Sequence, residues 1–475
     1  MIRERRNAIH PCRKEVTMTS PGIFCTFFLL ILGLCIPISA QHVGTPVGFA
    51  NVPAYGVDKV TGGAGGAVIT INGQADAKKL QDALDDDDKP RIIYISGSVQ
   101  LPEYPEGTTT PVSDVTKRMT CVRSNKTILG LGKDAKIHGS GLSIYSGSGE
   151  NSPQETAVNN IIIQNITFET APDDAINVQG GSHHIWVDHC TFTDGPGGSL
   201  GEGSADGQLD YKRGSDYLTV SYCVFTNHKK MSLIGHSNSV GEIDRGFLRA
   251  TYDHDFFNDL DGTASSRHPR VRFGIVHVLN CFIQGVGKDK NTEGVVSQCE
   301  AKVFIESCHF RFGKWGGSVN EHSSSSETDG LLVERNNSND QCAGDFTFVT
   351  GAGFNPSDYF KYNYAPEQSS TLPNTLPGKA GAGVLSIQKV TVSFMHNMTP
   401  ATLPTLAVSR NGNTLIVTGQ EPPVTTASVV GLSGRTLLRG NLESKQGSAI
   451  GIRTLPPGTY FAATHKGCIG SFTKQ

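Results

Sequence analysis

The sequence predicts an all-β protein built largely as a parallel β-helix, and three observations lead there. Short runs of Val, Ile and Phe alternate with clusters of Gly, Asn, Asp and Ser, and the 475 residues include 55 glycines. That texture is typical of many short strands joined by tight turns, and segments with helical periodicity are few. Similar apolar stretches also recur at near-regular intervals, which indicates a solenoid of stacked strand-and-turn units.

The recurring stretches can be aligned on their closing residue. They read NNIIIQNITF, HHIWVDHCTF, YLTVSYCVF, RATYDHDFF, VHVLNCFI and KVFIESCHF. Their closing residues are Phe168, Phe192, Phe225, Phe257, Ile283 and Phe310. The units are therefore between 24 residues (168 to 192) and 33 residues (192 to 225) long. We expect a right-handed, single-stranded parallel β-helix in which the closing residues occupy equivalent places on successive turns.

Cysteines recur two positions before the closing residue. That column holds Ile166, Cys190, Cys223, Asp255, Cys281 and Cys308. Adjacent turns lie one strand spacing apart, about 4.8 Å, which is within the Cα range of a disulfide. Disulfides Cys190–Cys223 and Cys281–Cys308 are one expectation. A stack of free thiols packing as small apolar groups is the other.

The N-terminus has the pattern of a secretory signal. A basic segment precedes the apolar run IFCTFFLLILGLCIPISA, which closes on small residues at Ala40. We expect cleavage after Ala40 and a secreted, extracellular or cell-surface protein, with a retained membrane anchor as the alternative. Three of the 11 cysteines precede that point, so eight remain. An even number in an exported chain is compatible with disulfides.

Composition then divides the chain into four parts: a signal peptide (1–40), a β-helix domain (41–370), a linker (371–400) and a small C-terminal β-sandwich (401–475). The linker is rich in Pro, Ser, Thr and Asn, and several short strands follow it. Within the β-helix domain, DAKKLQDAL (76–84) has the spacing of a short amphipathic helix. We expect that helix to cap the open N-terminal end of the solenoid.

An acidic run follows the predicted helix. Asp85 to Asp88 are four adjacent carboxylates. Adjacent carboxylates cannot all converge on one ion, so a solvated loop is favoured over a Ca²⁺ site.

Three other aspartates stand where predicted strands meet turns. Asp174 lies in PDDAINV, and Asp206 and Asp210 lie in ADGQLDYKRGS. A solenoid would bring these segments together as lateral neighbours on one face, and clustered carboxylates suit Ca²⁺. The alternative is that these residues serve only as turn formers, since Asp is common in turns.

Basic residues follow on the next two turns. HKKMSLIGHS contains Lys229 and Lys230, and SSRHPRVRFG contains Arg267, Arg270 and Arg272. Carboxylates adjoining cations on one face indicate an anionic, carboxylate-bearing substrate. Simple surface ion pairs are the alternative. With 41 Lys and Arg against 44 Asp and Glu, the chain as a whole shows no signature of nucleic-acid binding.

Taken in order, these strings resemble the pectate lyases of the parallel β-helix superfamily. The matching segments are NNIIIQNITF, DDAINV, SHHIWVDHCTF, DGQLDYKRGSDYLTVSYCVF, HKKMSLIGHS and RHPRVRFGIVHVLNCF, within roughly residues 55 to 345. The resemblance implies a Ca²⁺-dependent enzyme that cleaves polygalacturonate, the de-esterified form of pectin, by β-elimination to 4,5-unsaturated products. It also implies a monomer whose partner is that polysaccharide.

The resemblance implies roles for individual residues. Asp174, Asp206 and Asp210 correspond to the primary Ca²⁺ ligands. Family members with an additional Ca²⁺ ligand carry an acidic residue where this chain has Pro172. In this chain that ligand is either missing or supplied by Asp173. Of the basic residues, the resemblance assigns Lys230 and Arg272 to the substrate uronate and Arg267 to the Brønsted base.

Two further segments contain histidines that we do not assign to the catalytic site. His268 adjoins Arg267 and could be a conventional base, but Pro269 holds it extended and strand alternation directs it to the other face. In WVDHCTF, we interpret Asp188 and His189 as structural residues in a buried stack.

Three other functions remain open. A pectin lyase acts without Ca²⁺ and lacks the aspartate cluster and the lysine that this chain has. A polygalacturonase needs paired acids flanking the glycosidic bond. A non-catalytic surface solenoid that binds carbohydrate would not need Arg267.

The C-terminal strings GLSGRTL and LPPGTYFAA resemble sorting modules of type IX secretion. That resemblance implies contact with secretion machinery. A carbohydrate-binding module is the alternative.

Overall fold

A computed structural model describes most of the predicted β-helix domain, in ranges separated by gaps, and seven strands near the C-terminus. Outside those strands the described residues are 43–102, 119–145, 156–171, 173–195, 206–259, 266–285, 294–312, 319–320, 330–340 and 354–389. The predicted signal peptide, Pro172 and Cys342 lie outside the described residues. Within them, no helix is long and apolar enough to cross a membrane.

Three parallel sheets make up most of the described chain. The ten-stranded sheet contains β1 (Ala67–Asn72), β2 (Arg91–Ser96), β5 (Lys126–Gly130), β8 (Asn159–Gln164), β11 (His183–Asp188), β14 (Asp216–Ser221), β17 (Arg249–Asp253), β20 (Ile275–Leu279), β23 (Lys302–Glu306) and β26 (Leu331–Arg335). The nine-stranded sheet contains β3 (Ser98–Leu101), β6 (Lys136–Gly139), β9 (Thr167–Glu169), β12 (Thr191–Thr193), β15 (Val224–Thr226), β18 (Phe256–Asp259), β21 (Phe282–Gly285), β24 (His309–Phe312) and β27 (Ser338–Asp340). The eight-stranded sheet contains β4 (Thr120–Val122), β7 (Leu142–Ile144), β10 (Ile176–Val178), β13 (Leu209–Tyr211), β16 (Ser232–Ile234), β19 (Arg270–Arg272), β22 (Val296–Gln298) and β25 (Val319–Asn320).

The chain visits these sheets in a fixed rotation. From β5 onward, each turn adds one strand to the ten-stranded, then the nine-stranded, then the eight-stranded sheet. Except at the two ends of each sheet, every strand therefore pairs in parallel with the equivalent strand one turn earlier and one turn later. This winding is the parallel β-helix that the repeat predicted, and a single continuous apolar core runs through it.

The column of closing residues is confirmed residue by residue. Phe168 pairs with Phe192, and the column continues in register through Phe225 and Phe257 to Ile283 and Phe310. The first four rings stack with centroid separations of 5.3, 4.9 and 4.8 Å. An in-register aromatic stack of this kind fills the interior with one repeated contact on each turn.

The cysteine column is also in register, but its members are free thiols. Cys190, Cys223, Cys281 and Cys308 form no disulfide. The Cys190 N–H points at Cys223 Sγ at 3.4 Å, and the Cys281 N–H points at Cys308 Sγ at the same distance. In each pair the sulfur of the second cysteine accepts a backbone N–H from the preceding turn, so the structure has the free-thiol alternative and not the two disulfides.

The bend between the ten-stranded and nine-stranded sheets repeats one backbone conformation. Its residue has a positive φ on each turn, near 62° at Asn165, 47° at His189, 48° at Tyr222 and 60° at His254. The side chains of these residues stack outside the core, with ring centroids 4.8 Å apart for His189 and Tyr222 and 4.6 Å apart for Tyr222 and His254. The identical bend keeps each following strand in register.

A short helix lies near the N-terminal end of the solenoid, as predicted. Helix α1 (Ala77–Asp85) follows a 3-10 turn (Gly73–Asp76) and buries Leu80 and Leu84 in the main core. Elsewhere, helix α2 (Gly241–Asp244) is a single turn between β16 and β17, and another 3-10 turn covers Phe49–Asn51.

The acidic run after α1 is engaged by neighbouring basic residues. Asp85 pairs with Arg123 at 3.0 Å, and Asp86 pairs with Arg91. Asp88 accepts the backbone N–H of Ser124. The carboxylates diverge toward different partners, as expected for a surface loop rather than for a metal site.

The segment 354–389, called here the surface segment, runs along the outside of the solenoid. It contains 3-10 turns at Pro356–Asp358 and Ser369–Thr371 and helix α3 (Leu372–Thr375). Leu372 packs against Phe256 and Phe282, and Gly383 N–H donates to Asn165. The first part of the predicted linker is therefore packed against the β-helix.

Seven antiparallel strands follow. One sheet has the order β28 (Leu406–Asn411), β29 (Thr414–Gly419), β32 (Ser448–Gly451). The other has the order β31 (Thr436–Asn441), β30 (Thr426–Gly431), β33 (Gly458–Thr464), β34 (Gly467–Lys474). The change from parallel to antiparallel pairing matches the change in sequence texture, while the sandwich packing and the domain boundaries stay predictions.

Candidate active site

The predicted site residues come from four consecutive turns along the eight-stranded sheet. Strands β10, β13, β16 and β19 are hydrogen-bonded in that order. The residues on or just before them are Asp174 at β10, Asp206 and Asp210 at β13, Lys230 at β16, and Arg267 and Arg272 at β19. The winding therefore brings acidic turns next to basic turns, as the sequence predicted.

Asp174 is buried and fully bonded. Its Oδ1 accepts the Gly207 N–H at 2.9 Å, and its Oδ2 accepts from Asn177 Nδ2 and Lys212 Nζ, both at 3.0 Å. A Cβ at position 207 would lie 2.4 Å from Asp210 Oδ1 and 2.9 Å from Asp174 Oδ1. Only glycine therefore lets the chain pass this close to two carboxylates.

Asp210 is equally buried but poorly satisfied. Its Oδ1 has no hydrogen-bond partner, and its Oδ2 is 3.9 Å from Lys212 Nζ. Burial, followed by the negative charge of Asp174, raises the pKa of Asp210 to about 7. Two buried carboxylates, Asp174 and Asp210, thus share the single ammonium group of Lys212. One ammonium group cannot balance the negative charge of both.

A third and a fourth carboxylate complete the acidic cluster. One oxygen each from Asp173, Asp174 and Asp206 lies within 4.8 Å of the others. Burial and the charge of Asp174 raise the pKa of Asp173 to about 6. This trio contains two of the three predicted ligands, adds Asp173, and leaves Asp210 behind it against Lys212.

Lys230 links the acidic turns to the basic ones. Its Nζ is 2.9 Å from Asp206 Oδ1. Partial burial works against ionisation, but the hydrogen bond and charge of Lys230 prevail and lower the pKa of Asp206. On its other side Lys230 forms a β-bridge with Ser266, so it lies directly beside the turn that carries Arg267.

Arg267 stands at the bend before β19. Its φ of 70° lies in the left-handed region, and its carbonyl accepts the Ser232 N–H at 2.9 Å. Its Nη1 is buried and has no hydrogen-bond partner. Its charge also favours the ionised forms of Asp206 and Asp210. A buried guanidinium nitrogen with an unused donor is unusual outside a functional site.

The other two arginines alternate on β19 around the buried Val271, so both point away from the core. Arg272 is held in place because its Nε donates to Asn238 Oδ1 at 2.5 Å and its Nη1 donates to Gly235 O at 3.1 Å. Such anchoring fixes the direction of the guanidinium plane.

His268 lies on the opposite side from the arginines. Its side chain is buried, and its ring meets Phe257 edge to face with centroids 5.8 Å apart. Because Phe257 belongs to the interior aromatic stack, His268 faces the core and not the acidic cluster.

The WVDH string forms a closed network at the bend after β11. Asp188 Oδ1 accepts from Ser221 Oγ at 2.6 Å, and its Oδ2 accepts from Gln164 Nε2 at 2.8 Å. His189 Nδ1 is also 2.8 Å from that oxygen, and Trp186 Nε1 donates to Ser221 Oγ. Both carboxylate oxygens are thus satisfied by protein donors, as a structural role requires.

Lys212 is a site residue that sequence reasoning missed. It bonds to Asp174, and the charges of Asp174 and Asp210 raise its pKa although burial opposes them. The available signal was its position two residues after Asp210, which places both side chains near one edge of a strand.

Curated proteins similar to this chain are pectate-cleaving enzymes by name. A pectate trisaccharide-lyase of Thermotoga maritima is 31% identical over 253 residues, which are 52% of this chain and 59% of that protein. The chain thus spans about three fifths of that relative's length. Pectate lyase A of Emericella nidulans is 30% identical over 336 residues, covering 69% of this chain and 86% of that protein.

Solved structures share the fold. A pectate lyase of Bacillus sp. N165 in complex with trigalacturonate has a TM-score of 0.55 at 24% identity, over 71% of this chain and 99% of that one. A pectate lyase of Acidovorax avenae subsp. citrulli has a TM-score of 0.54 at 19% identity, over 74% and 97%. A family model described as pectate lyase matches residues 30–385, well over half of the sequence. The chain therefore belongs to the pectate lyase family.

Proposed function

We propose that this protein is a secreted, Ca²⁺-dependent pectate lyase. It cleaves polygalacturonate by β-elimination and releases 4,5-unsaturated oligogalacturonides. The observation that supports this most strongly is the meeting of a carboxylate trio, Asp173, Asp174 and Asp206, with Lys230 on the next turn. The trigalacturonate in the solved relative supports an oligogalacturonate as ligand.

The acidic cluster fits Ca²⁺ by its donor set. Ca²⁺ is bound by carboxylate oxygens, and a further buried oxygen on Asp210 lacks any partner among the described residues. Asp173, Asp174 and Asp206 would hold the ion, with Asp210 behind them and Asp173 in the position that the sequence left open. When bound, the ion would neutralise charge at the substrate carboxylate.

Lys230 and Arg272 would bind the uronate carboxylate. Removing the C5 proton builds negative charge on a group that is already charged, so cations fixed at that carboxylate stabilise the enediolate-like transition state. Lys230 adjoins the acidic trio, and Arg272 is anchored by Asn238 and Gly235. Both cations are therefore held before substrate arrives.

Arg267 would act as the base. The C5–H bond breaks and its proton moves to Arg267, a C4–C5 double bond forms, and the C4–O bond breaks with its electrons leaving on the glycosidic oxygen. A guanidinium is normally protonated in proteins, which opposes this role, so Arg267 would accept the proton as a neutral guanidine. Its Nη1, which has no hydrogen-bond partner among the described residues, is available to meet a C–H group.

The remaining features of the proposal concern the whole chain. The signal peptide would direct export, helix α1 would cap the N-terminal end of the solenoid, and residues 401–475 would form a sandwich that contacts secretion machinery. We also propose that the enzyme acts as a monomer.

The activity is tested by ultraviolet absorbance. Purified protein given polygalacturonate and Ca²⁺ should raise absorbance from the unsaturated uronide, and a chelator should stop the reaction. Methyl-esterified pectin serves as the comparison substrate. Faster, chelator-resistant cleavage of esterified pectin would indicate a pectin lyase. New reducing ends without an increase in ultraviolet absorbance would indicate a polygalacturonase. If neither signal appeared, the proposal of enzymatic activity would be wrong.

The base is tested by Arg267→Lys, with Arg270→Lys as the matched control on the same turn. We expect Arg267→Lys to retain substrate binding but lose at least about 100-fold in turnover, since general base catalysis contributes 10² to 10⁴. Arg270→Lys should stay within a few-fold of the parent. Equal turnover of both variants would remove Arg267 from the base role.

A further inference from the structure

A pocket opens on the outer face of the ten-stranded sheet, away from the eight-stranded sheet that carries the acidic cluster. It has a volume of about 450 Å³, which is in the usual range for small-ligand pockets. Its walls come from two distant parts of the chain, the N-terminal stretch 46–53 and residues 359–363 of the surface segment. We call it the outer pocket.

The floor includes the Tyr217 ring, which stacks on His184 with centroids 5.0 Å apart, and an arginine held in place. Tyr217 and Arg249 lie on neighbouring strands β14 and β17, and the Arg249 guanidinium carbon is 5.2 Å from the Tyr217 ring centroid. Asp216, fully buried beneath them, pairs with Arg249 and accepts the Tyr55 hydroxyl at 2.8 Å. The arginine is therefore oriented from below while its side chain stays 26% exposed.

The charge of the outer pocket is positive. Lys361 is exposed at its rim, and Lys302 Nζ lies 5.6 Å from the ring centroid of Tyr359, which forms part of the wall. Among the described lining residues none is acidic. A guanidinium has five N–H donors, so the ion pair with Asp216 leaves Arg249 able to donate to a ligand carboxylate.

Aromatic walls with cations and without acids suit a flat, partly apolar ring that carries a carboxylate. Neutral sugars would not use the two cations, Arg249 and Lys361, and phosphate alone would not use the tyrosine side chains of the lining. We propose that the outer pocket is a second carbohydrate site that binds a uronate unit of the pectate chain, separate from the cleavage site. The identity of the polymer rests on the proposed function, and the positive aromatic pocket does not.

The site would hold the enzyme on polymeric substrate. A long chain can be bound in the outer pocket of one molecule while the cleavage face of that or another molecule acts on it, so affinity for polymer exceeds affinity for a trimer. Binding at the outer pocket requires no Ca²⁺, because no carboxylate lines it in the described chain.

The test is retention of the full protein in gels containing polygalacturonate and a chelator, with Lys361→Glu as the variant. Lys379→Glu is the matched control, because Lys379 is an exposed lysine of the same surface segment outside the pocket. Loss of a charge-assisted contact should weaken retention by about tenfold in Lys361→Glu only. A second variant, Tyr359→Leu, should weaken it as well while keeping apolar volume.

Turnover of trigalacturonate with Ca²⁺ separates this proposal from the proposed function. It should be unchanged in Lys361→Glu, since a trimer at the cleavage face does not reach the outer pocket. Equal retention of parent and Lys361→Glu, or equal loss in Lys361→Glu and Lys379→Glu, would overturn the second site. Retention of neutral galactan as strongly as polygalacturonate would overturn the uronate assignment. If the parent cleaves nothing, the proposed function fails, and the gel still decides the pocket.

Discussion

Asp188 and Asp210 are two buried aspartates in neighbouring parts of the same solenoid, and their surroundings differ. Their side chains are 4% and 2% exposed. Asp188 is bonded on both oxygens by Ser221, Gln164 and His189. Asp210 has one oxygen without a partner and the other 3.9 Å from an ammonium that Asp174 already engages.

The difference in hydrogen bonding distinguishes a buried aspartate with a structural role from one available to bind a ligand. A buried polar group without a hydrogen bond costs about 1–3 kcal/mol, and a charged one costs more. At Asp188 the fold supplies donors and avoids that cost. At Asp210 it does not, and it places Asp174 alongside, so the unfavourable arrangement is best relieved by a bound cation.

The comparison is tested most strongly by Asp210→Asn. We expect turnover on polygalacturonate to fall by at least about 100-fold, because several kcal/mol of transition-state charge stabilisation depends on the acidic cluster. Thermal stability without metal should not fall, because the amide ends the repulsion with Asp174. Turnover and melting temperature are measured together, and a stable variant with full turnover would contradict the functional reading of Asp210.

Asp188→Asn is the reciprocal control in that experiment. Its amide group would place donors against the donors of Ser221 and Gln164, so unfolding free energy should drop by about 2–3 kcal/mol. Turnover per folded molecule should be unchanged below the melting temperature. Asp210→Asn should therefore lower turnover and Asp188→Asn should lower stability. If both variants changed the same quantity, the two aspartates would not differ in role.

Asp255 is a third buried aspartate, and we expect it to have a smaller effect, on the pH dependence of stability. It occupies the cysteine column, where one oxygen accepts the Cys223 N–H at 2.7 Å and the other has no partner. Burial, reinforced by the negative charges of Asp253 and Asp188, raises its pKa well above the usual range. Its protonated form is favoured by folding, so stability is full below the unfolded pKa of about 3.9 and is lost as pH rises toward the folded pKa.

The expected measurement is chemical denaturation of the parent and of Asp255→Asn at pH 5 and pH 6. Between these values the parent should lose more stability than the variant, because the folded parent retains a proton that the unfolded chain releases. Other groups with raised pKa values titrate equally in both proteins and cancel. An identical pH dependence would show that Asp255 ionises as freely when folded as when unfolded.

Much of the fold could be predicted because the repeat is a local pattern. The column from Phe168 to Phe310 was aligned by its closing residues, and the structure pairs each member with the next. Of the two alternatives for the cysteine column, the structure has the free thiols, and the sequence could not choose because in-register cysteines are compatible with either state. Backbone N–H groups that point at Sγ of Cys223 and Cys308 are not visible in a sequence.

The site was predicted less completely. The acidic and basic turns were identified, but the roles of Asp173 and Lys212 depend on which oxygen lies near which nitrogen. Asp173 joins the trio through the shape of one bend, and Lys212 reaches Asp174 across a turn. Spacing along the chain assigns residues to a face, and it does not measure distances across it.

The solenoid and the order of acidic turns before basic turns could be predicted from the sequence, because period and order are properties of the chain. Which carboxylates have hydrogen-bond partners is visible only in the tertiary structure, because the donors to Asp188 come from Ser221 and Gln164 on other turns. The outer pocket also depends on the tertiary structure, because its lining joins the N-terminal stretch 46–53 to residues 359–363, more than three hundred residues further along the chain. Hydrogen-bond satisfaction and charge depend on three-dimensional neighbours, and a sequence lists only those along the chain.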